Sequence, residues 1–355
     1  MLSTVRYGII GCGVIGPVHA ASLAQLPHAR IAGVCDIARG RAERVAADYN
    51  VPFVTADYAA LLARSDIDAV CICTPHYLHA EMAIAAANAG KQVFCEKPMA
   101  IDPADMDAMI AAAERAGVQL GICFQHRFDP VMVQLKGLID KGKFGQLLLG
   151  GAHVRCVRDE SYYHSGAWRG TWAQEGGGVL INQAIHTIDL LLWLFGEATS
   201  IYGSYATLRW GHCIEVEDTA TGVITFRNGA QGHIAATSAS NLDWNTRLHV
   251  YGAAGSAVVN TGFPDEYAFL QLSEEVAPVT PSNAGAPEVG KACYGTSHLL
   301  ALREFTEAIL ADRPYPITGR EARRAAEVVL ALYRSSREAR AIPLPLFAPA
   351  KPADN

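Results

Sequence analysis

The sequence predicts an α/β fold in two parts. An N-terminal doubly wound parallel sheet is followed by a C-terminal α+β domain built on a mainly antiparallel open sheet. Three observations carry this. Through the first third, short and continuously apolar runs alternate with helical stretches of about 10–15 residues, the pattern of strands covered on both faces. A glycine-rich run, Gly11-Cys12-Gly13-Val14-Ile15-Gly16, joins the first apolar run to the first helix. From about residue 145 onward, apolar runs succeed one another without helices between them.

Taken in order, Val5 to Ile10 is the first strand, and a helix over His19 to Gln25 follows the glycine run. Ile31 to Cys35 is a second strand that closes on Asp36, and Arg39 to Asp48 reads as helix. Ala69 to Cys73 is a buried strand ending on Thr74-Pro75-His76, and Leu78 to Ala89 is an alanine-rich helix. Gln92 to Cys95 is the strand that ends on Glu96-Lys97-Pro98. Pro103 to Ala116 is a helix for which Asp102 is the N-cap and Pro103 the first residue. Gln119 to Phe124 is the last strand of the set.

The second half reads differently. Gly150 to Val157, Ile201 to Trp210, Thr219 to Phe226, Gln231 to Ser238 and Arg247 to Tyr251 are strands. Asn228-Gly229 is a hairpin signal between two of them, and Gly252 to Gly255 is a further turn. Helices return at Ser297 to Leu310 and Glu321 to Arg340. Val276 to Ala292, rich in Pro, Gly, Ser and Ala, reads as a loop. The expected division is a Rossmann dinucleotide-binding domain over 1–124, a substrate-binding and oligomerisation α+β domain over 125–345, and a tail over 346–355. The last helices are free to pack back on the first domain.

Composition narrows the function classes. A chain of 355 residues fits two domains with separate cores. A net charge of −6 with no basic stretch argues against nucleic acid as a partner. Arg320, Arg323 and Arg324 read as one solvated helix face. No apolar run approaches the ~20 residues that span a bilayer, and only Met1 to Thr4 precede the first strand. The nine cysteines are scattered, as expected of buried small hydrophobes in a reducing cytoplasm, with no disulfide framework and no metal site.

The glycine run has the context that a dinucleotide fingerprint requires. It follows a strand, opens a helix, and is followed about 20 residues later by Asp36 at the end of the second strand. Gly11 makes the turn, Gly13 admits the pyrophosphate, Gly16 lets helix and strand pack, and the helix N-terminus attracts the phosphates. Cys12, Val14 and Ile15 fill the loop. Asp36 suits ribose hydroxyls and repels a 2′-phosphate, so the expected cofactor is NAD rather than NADP, although Arg39 offsets part of that repulsion. Thr74, Pro75, His76, His79, Glu96, Lys97 and Gln125 lie at or near the carboxyl edge of the sheet, where such ligands bind. For His79, bonding to backbone at the helix start is an equal alternative.

Oxidising a secondary alcohol needs a base for the hydroxyl proton and a cation for the developing alkoxide. Lys97 stands on the correct sheet edge, aimed by Pro98. In the second half, Gly176-Gly177-Gly178 leads into a helix with Asn182, His186 and Asp189 at i, i+4 and i+7, which places three polar groups on one stripe of an apolar helix. His186 is the candidate base, with Asn182 beside it, and Asp189 either orients the ring or makes a structural bond. A neutral Asn182 does not favour imidazolium as a carboxylate would. Tyr163, Trp168, Arg169 and Trp172 belong to an aromatic segment with Tyr162 and His164 that suits sugar faces and hydroxyls. Arg127 is either a substrate contact or an inter-domain salt bridge. Glu175, Asn241, Asp243 and Trp244 are secondary candidates.

On the strength of Gly11 to Gly16, Thr74-Pro75, Glu96-Lys97-Pro98 and the glycine run leading to His186, the chain resembles the glucose–fructose oxidoreductase, inositol dehydrogenase and rhizopine-catabolism (Gfo/Idh/MocA) family over residues 5 to about 345. The resemblance implies a catalytic role for Lys97, an acid/base role for His186, and a homodimer or homotetramer assembled through the C-terminal sheet. Asn182 stands where many relatives carry Asp, and Ala184 where many carry Gly. This variant resembles members acting on sugars, glycosides or nucleotide sugars. The expected activity is therefore an NAD-dependent carbohydrate dehydrogenase. An NAD-retaining glycosidase using transient oxidation, and a non-catalytic NAD-binding regulator, are the alternatives.

Overall fold

The structure, a computed structural model, describes residues 3–279, apart from 243, 263 and 264, and residues 297–346. It comprises two compact units, Met1–Phe128 with Asn283–Ala322, and Asp129–Ser282 with Arg323–Asn355. Of the expected loop over 276–292, residues 276–279 are described and carry no regular structure; the rest, and the tail beyond 346, lie outside the described residues. Among the described residues no helix is long and apolar enough to cross a membrane.

The first unit contains β1 (Val5–Ile10), α1 (Gly16–Ala24), β2 (Ala29–Cys35), α2 (Arg39–Tyr49), β3 (Phe53–Thr55), α3 (Tyr58–Leu62), β4 (Ala69–Ile72), α4 (His79–Asn88), β5 (Gln92–Cys95), α5 (Pro103–Ala116) and β6 (Leu120–Ile122). All six strands are parallel, in the order β3-β2-β1-β4-β5-β6. This is the doubly wound order whose switch point lies between β1 and β4. Helix α5 starts where Asp102 Oδ1 accepts from the Ala104 N–H at 2.7 Å, and ends at Gly117 with φ +66°. Strand β3 went unpredicted because three half-buried residues show no period.

The second unit contains α6 (Pro130–Asp140), β7 (Leu147–Arg155), α7 (Glu160–His164), α8 (Ile185–Phe195), β8 (Ala198–Ala206), β9 (Thr219–Phe226), β10 (Gln231–Thr237), β11 (Asn245–Gly252), β12 (Gly255–Asn260) and β13 (Glu266–Leu272). Helix α9 (Ser297–Leu310) returns to the first unit. The division between units falls within α10 (Gly319–Glu338), and β14 (Ile342–Pro343) closes the second. The large sheet runs β13-β12-β11-β7-β10-β9-β8-β14 and is antiparallel except for the β7–β10 pair.

The Asn228-Gly229 turn joins β9 to β10, with Gly229 at φ +87°. Gly150 faces α8 so closely that a Cβ there would sit 2.6 Å from Leu191. Gly203 and Gly222 make the same allowance for Leu332 of α10. Arg323, expected on a solvated face, is instead buried and paired with Glu327 at 3.0 Å.

Candidate active site

The glycine run of the first unit is a close-fitted turn with one open side. A Cβ on Gly11, at φ +95°, would lie 2.5 Å from the Cys73 carbonyl oxygen, and one on Gly16 would lie 2.1 Å from the Gly11 carbonyl oxygen. A Cβ on Gly13 would meet nothing within 4 Å. Asp36, almost fully buried, accepts from the Cys12 N–H through Oδ2 and from the Ala38 N–H through Oδ1, both at 2.8 Å. Its carboxylate thus fixes the loop that the fingerprint defines. Arg39 is turned to Glu43 at 2.8 Å. At the end of β4 the Thr74 hydroxyl oxygen is buried and makes no hydrogen bond among the described residues.

His79 takes the backbone-bonding alternative. Its ring is buried, with Nδ1 2.7 Å from the Pro98 carbonyl and Nε2 2.9 Å from the Thr74 carbonyl. Burial drives its pKa down while the two carbonyls oppose that shift. The ring ties the edge of β4 to the Glu-Lys-Pro turn, whose Lys97–Pro98 bond is cis. His76 is buried beside it, with ring centroids 5.9 Å apart.

Behind Lys97 lies a polar cluster that the sequence did not reveal. Glu96 Oε1 accepts from His19 Nε2 of α1 at 2.8 Å, and His298 Nε2 of α9 stands 3.7 Å from the same oxygen. Burial pushes the Glu96 carboxyl up, but His19, His298 and Lys97 outweigh it and hold the group at about 2. With Cys123, these residues place four buried ligand atoms within 4.8 Å of one another, a donor set that zinc accepts. The sequence led us to expect no metal. The His19 bond and the nearby His298 hold the Glu96 carboxylate in place within this cluster. Lys97 itself is half-buried. Gln125 is buried at the end of β6, and Arg127, one of whose two expected roles was substrate contact, pairs with Glu321 at 3.1 Å.

In the second unit the glycine run wraps a buried carboxylate. Glu217 accepts from the Gly178 and Leu180 N–H groups at 2.8 and 2.9 Å and from the Tyr333 hydroxyl at 2.8 Å. Burial pushes its carboxyl up to about 7, against the pull of those three donors. A Cβ on Gly178 would sit 1.8 Å from the Glu217 carbonyl oxygen, and one on Gly177, at φ +149°, 2.1 Å from the Tyr333 hydroxyl. The glycines are therefore required by contact.

The chain then makes a π-helical turn over Leu180–Ala184 before α8 begins. The wider turn breaks the single stripe expected for Asn182, His186 and Asp189. Asn182 and His186 are half-buried, whereas Asp189 is enclosed. Asn182 Nδ2 donates to the Tyr162 hydroxyl at 3.0 Å and to Glu175, which is buried and also accepts from the Gly170 N–H. A carboxylate thus stands behind Asn182 although residue 182 is not one.

One of the aromatic candidates, Tyr163, is corrected, and Trp172 stays half-exposed. Tyr163 is buried in an apolar cluster with Trp210, Ile214 and Val216, its hydroxyl 3.0 Å from that of Ser238. Trp172 packs edge-on against Tyr333 and Tyr205 and donates to the Glu215 carbonyl at 3.0 Å. Their partly exposed neighbour Tyr162 carries the polar contacts instead, receiving Arg169 at 2.6 Å and Gln183 at 3.1 Å besides Asn182. Trp168 and Arg169 remain on this surface, 4.4 Å from guanidinium carbon to ring centroid. Asp243 lies outside the described residues.

Comparison with known proteins settles the kinship. Residues 5–124 match the family described as "Oxidoreductase family, NAD-binding Rossmann fold", and residues 132–258 match the "GFO/IDH/MocA C-terminal domain". The chain belongs to the Gfo/Idh/MocA oxidoreductase family.

It is 30% identical to inositol 2-dehydrogenase of Rhizobium meliloti over 264 residues, covering 74% of this chain and 77% of that protein. It is 32% identical to the NAD(+)-dependent scyllo-inositol 2-dehydrogenase of Bacillus subtilis over 261 residues, 72% and 74% of the two chains. Among solved structures, the WlbA dehydrogenase of Bordetella pertussis, in complex with NADH and UDP-GlcNAcA, is 30% identical with a TM-score of 0.85, covering 97% of this chain and 100% of that one. NAD is the cofactor of this oxidoreductase family, and the turn held by Gly11, Gly16 and Asp36, open at Gly13 and lined by the unpaired Thr74 hydroxyl, fits it.

Proposed function

We propose that this Gfo/Idh/MocA oxidoreductase is an NAD-dependent dehydrogenase of a sugar, cyclitol, glycoside or nucleotide sugar, with Lys97 and His186 as the reacting pair. The observation that carries the reading is the clamped Glu96. A lysine at the carboxyl edge of a dinucleotide-binding sheet is preceded by a buried carboxylate bonded to His19, so its backbone is fixed where ligands bind in such sheets. NAD, when bound, supplies the hydride acceptor. The Lys97 ammonium stabilises negative charge on the substrate oxygen as it loses its proton, and His186 takes that proton.

Asp36 holds the adenosine ribose and disfavours a 2′-phosphate, which makes the enzyme prefer NAD to NADP. Asn182, tied to Glu175, positions substrate hydroxyls beside His186. Residues 1–124, joined by 283–322, form the cofactor domain, and the rest of 125–345 the substrate domain, through whose sheet the subunits assemble. The inositol dehydrogenases and the WlbA complex support a carbohydrate as the substrate class.

The test is NADH absorbance after mixing the enzyme and NAD with a panel of polyols, aldoses, glycosides and nucleotide sugars. Accumulating NADH with at least one member supports the proposal. Release of free sugar from a glycoside without net NADH would replace it with the glycosidase reading.

A further inference from the structure

The surface around Tyr162 carries two cations that make no ion pair among the described residues. Arg158 lies with its guanidinium carbon 4.8 Å from the Tyr162 ring centroid and 5.1 Å from that of Trp244. Arg169 lies 4.4 Å from the same Tyr162 ring and 4.4 Å from Trp168. Both arginines are half-buried, and among the described residues neither makes an ion pair. Arg158 donates from Nη1 to the Val157 carbonyl at 3.0 Å and also hydrogen-bonds Tyr162, while among the described residues its buried Nε has no partner.

The acids in the same stretch are committed elsewhere. Asp159 bonds the Ser161 hydroxyl and the Tyr162 N–H, Glu160 bonds His212, and Glu175 bonds the Gly170 N–H and Asn182. Three N–H donors, from Arg169, Asn182 and Gln183, converge on the Tyr162 hydroxyl oxygen, which has only two lone pairs.

A half-buried cation without an ion-pair partner is costly, and a polar surface with surplus donors is complementary to an acceptor-rich ligand. Stacking on aromatic faces fixes each guanidinium plane; Arg169 spends Nε on the Ser165 hydroxyl at 3.1 Å and Nη1 on the Tyr162 hydroxyl at 2.6 Å, which leaves its Nη2 to meet an oxyanion. We infer that the substrate carries an oxyanion, the carboxylate of a sugar acid or the phosphate of a sugar phosphate or nucleotide sugar, and that Arg158 and Arg169 bind it. The inference rests on the carbohydrate dehydrogenase reading, because the tyrosine between the arginines is bonded to Asn182, one turn before His186. It separates this chain's substrate from neutral cyclitols.

The experiment is equilibrium titration of the NADH-loaded enzyme by calorimetry with D-glucuronate, glucose 6-phosphate, UDP-glucuronate, D-glucose and myo-inositol. Turnover with NAD is recorded for the same compounds. At low salt an anionic probe should bind about 10-fold or more tightly than its neutral counterpart. Whether glucuronate or the phosphorylated probes win identifies the oxyanion. In the Arg158→Gln, Arg169→Gln double variant the ratio should fall towards one, while unchanged NADH affinity shows that the variant is folded. Equal affinity for charged and neutral probes, no binding of any anionic probe, or a ratio untouched by the double variant would each overturn the inference. Turnover of neutral sugars alone would overturn it and leave the dehydrogenase reading standing. Binding of anionic probes without turnover of any compound would do the reverse.

Discussion

The buried Glu175 carboxylate is bonded to half-buried Asn182, which lies one turn ahead of His186 on the same helical segment. The pair supplies negative charge behind a residue that is itself neutral. On the proposal that His186 is the base, this charge is the one to test against its protonation.

Glu175→Gln keeps the shape of the pair and removes the charge. Less negative potential favours neutral imidazole, so the acidic limb of the kcat/KM–pH profile for oxidation should move to lower pH. The measurement uses a substrate that does not ionise over the range. An unmoved limb would separate Glu175 from the titrating group.

Glu217 gives a stability prediction with a definite sign. Its folded pKa, about 7, lies above the ordinary carboxyl value of 4.5. Between those values the folded state binds the extra proton, so this group's contribution to stability falls as pH rises through the window and is constant below it. Urea unfolding of the wild type and Glu217→Gln between pH 4.5 and about 8 should show the wild type losing stability relative to the variant. Parallel curves would contradict the assignment.

Gly178→Ala tests the contact that the glycine run makes. With the added carbon 1.8 Å from a backbone oxygen, the backbone must move, and about 3 kcal/mol or more of stability should be lost. Gly13→Ala, which meets nothing, should fold like the wild type and weaken only NAD binding. Chemical denaturation together with NADH titration checks both.

Much of this was legible in the sequence, and the exceptions have physical causes. Strand β5 and helix α5 carry strong boundary signals, an apolar run ending at Glu-Lys-Pro and an Asp-Pro cap, and both match residue for residue. Tyr163 was chosen over Tyr162 because α7 is five residues long, too short for a period to show which of two adjacent rings faces the core. The π-turn over Leu180–Ala184 was invisible to reasoning from a 3.6-residue period. Arg158 stands between Val157 and Asp159 with no motif around it, and His298 reaches Glu96 across about 200 residues of sequence. Such contacts arise from tertiary packing, which local patterns do not encode.

Asp36→Ser should raise the ratio of kcat/KM for NADP to that for NAD by roughly 10-fold or more, since it removes the charge opposing a 2′-phosphate. Because Asp36 also holds the Cys12 and Ala38 N–H groups, the absolute value with NAD should fall as well. Steady-state kinetics with both cofactors decide it, and an unchanged ratio would remove Asp36 from cofactor selection.

The central claim is that Lys97 stabilises charge that develops on the substrate oxygen during oxidation. The most direct measurement is the rate of NADH formation by Lys97→Ala at saturating NAD and substrate, beside the NAD affinity of the same variant. The account predicts a rate lower by about 10²-fold or more with NAD affinity nearly kept, because the lost interaction belongs to the transition state. A variant that turns over within a few-fold of the wild type would contradict it.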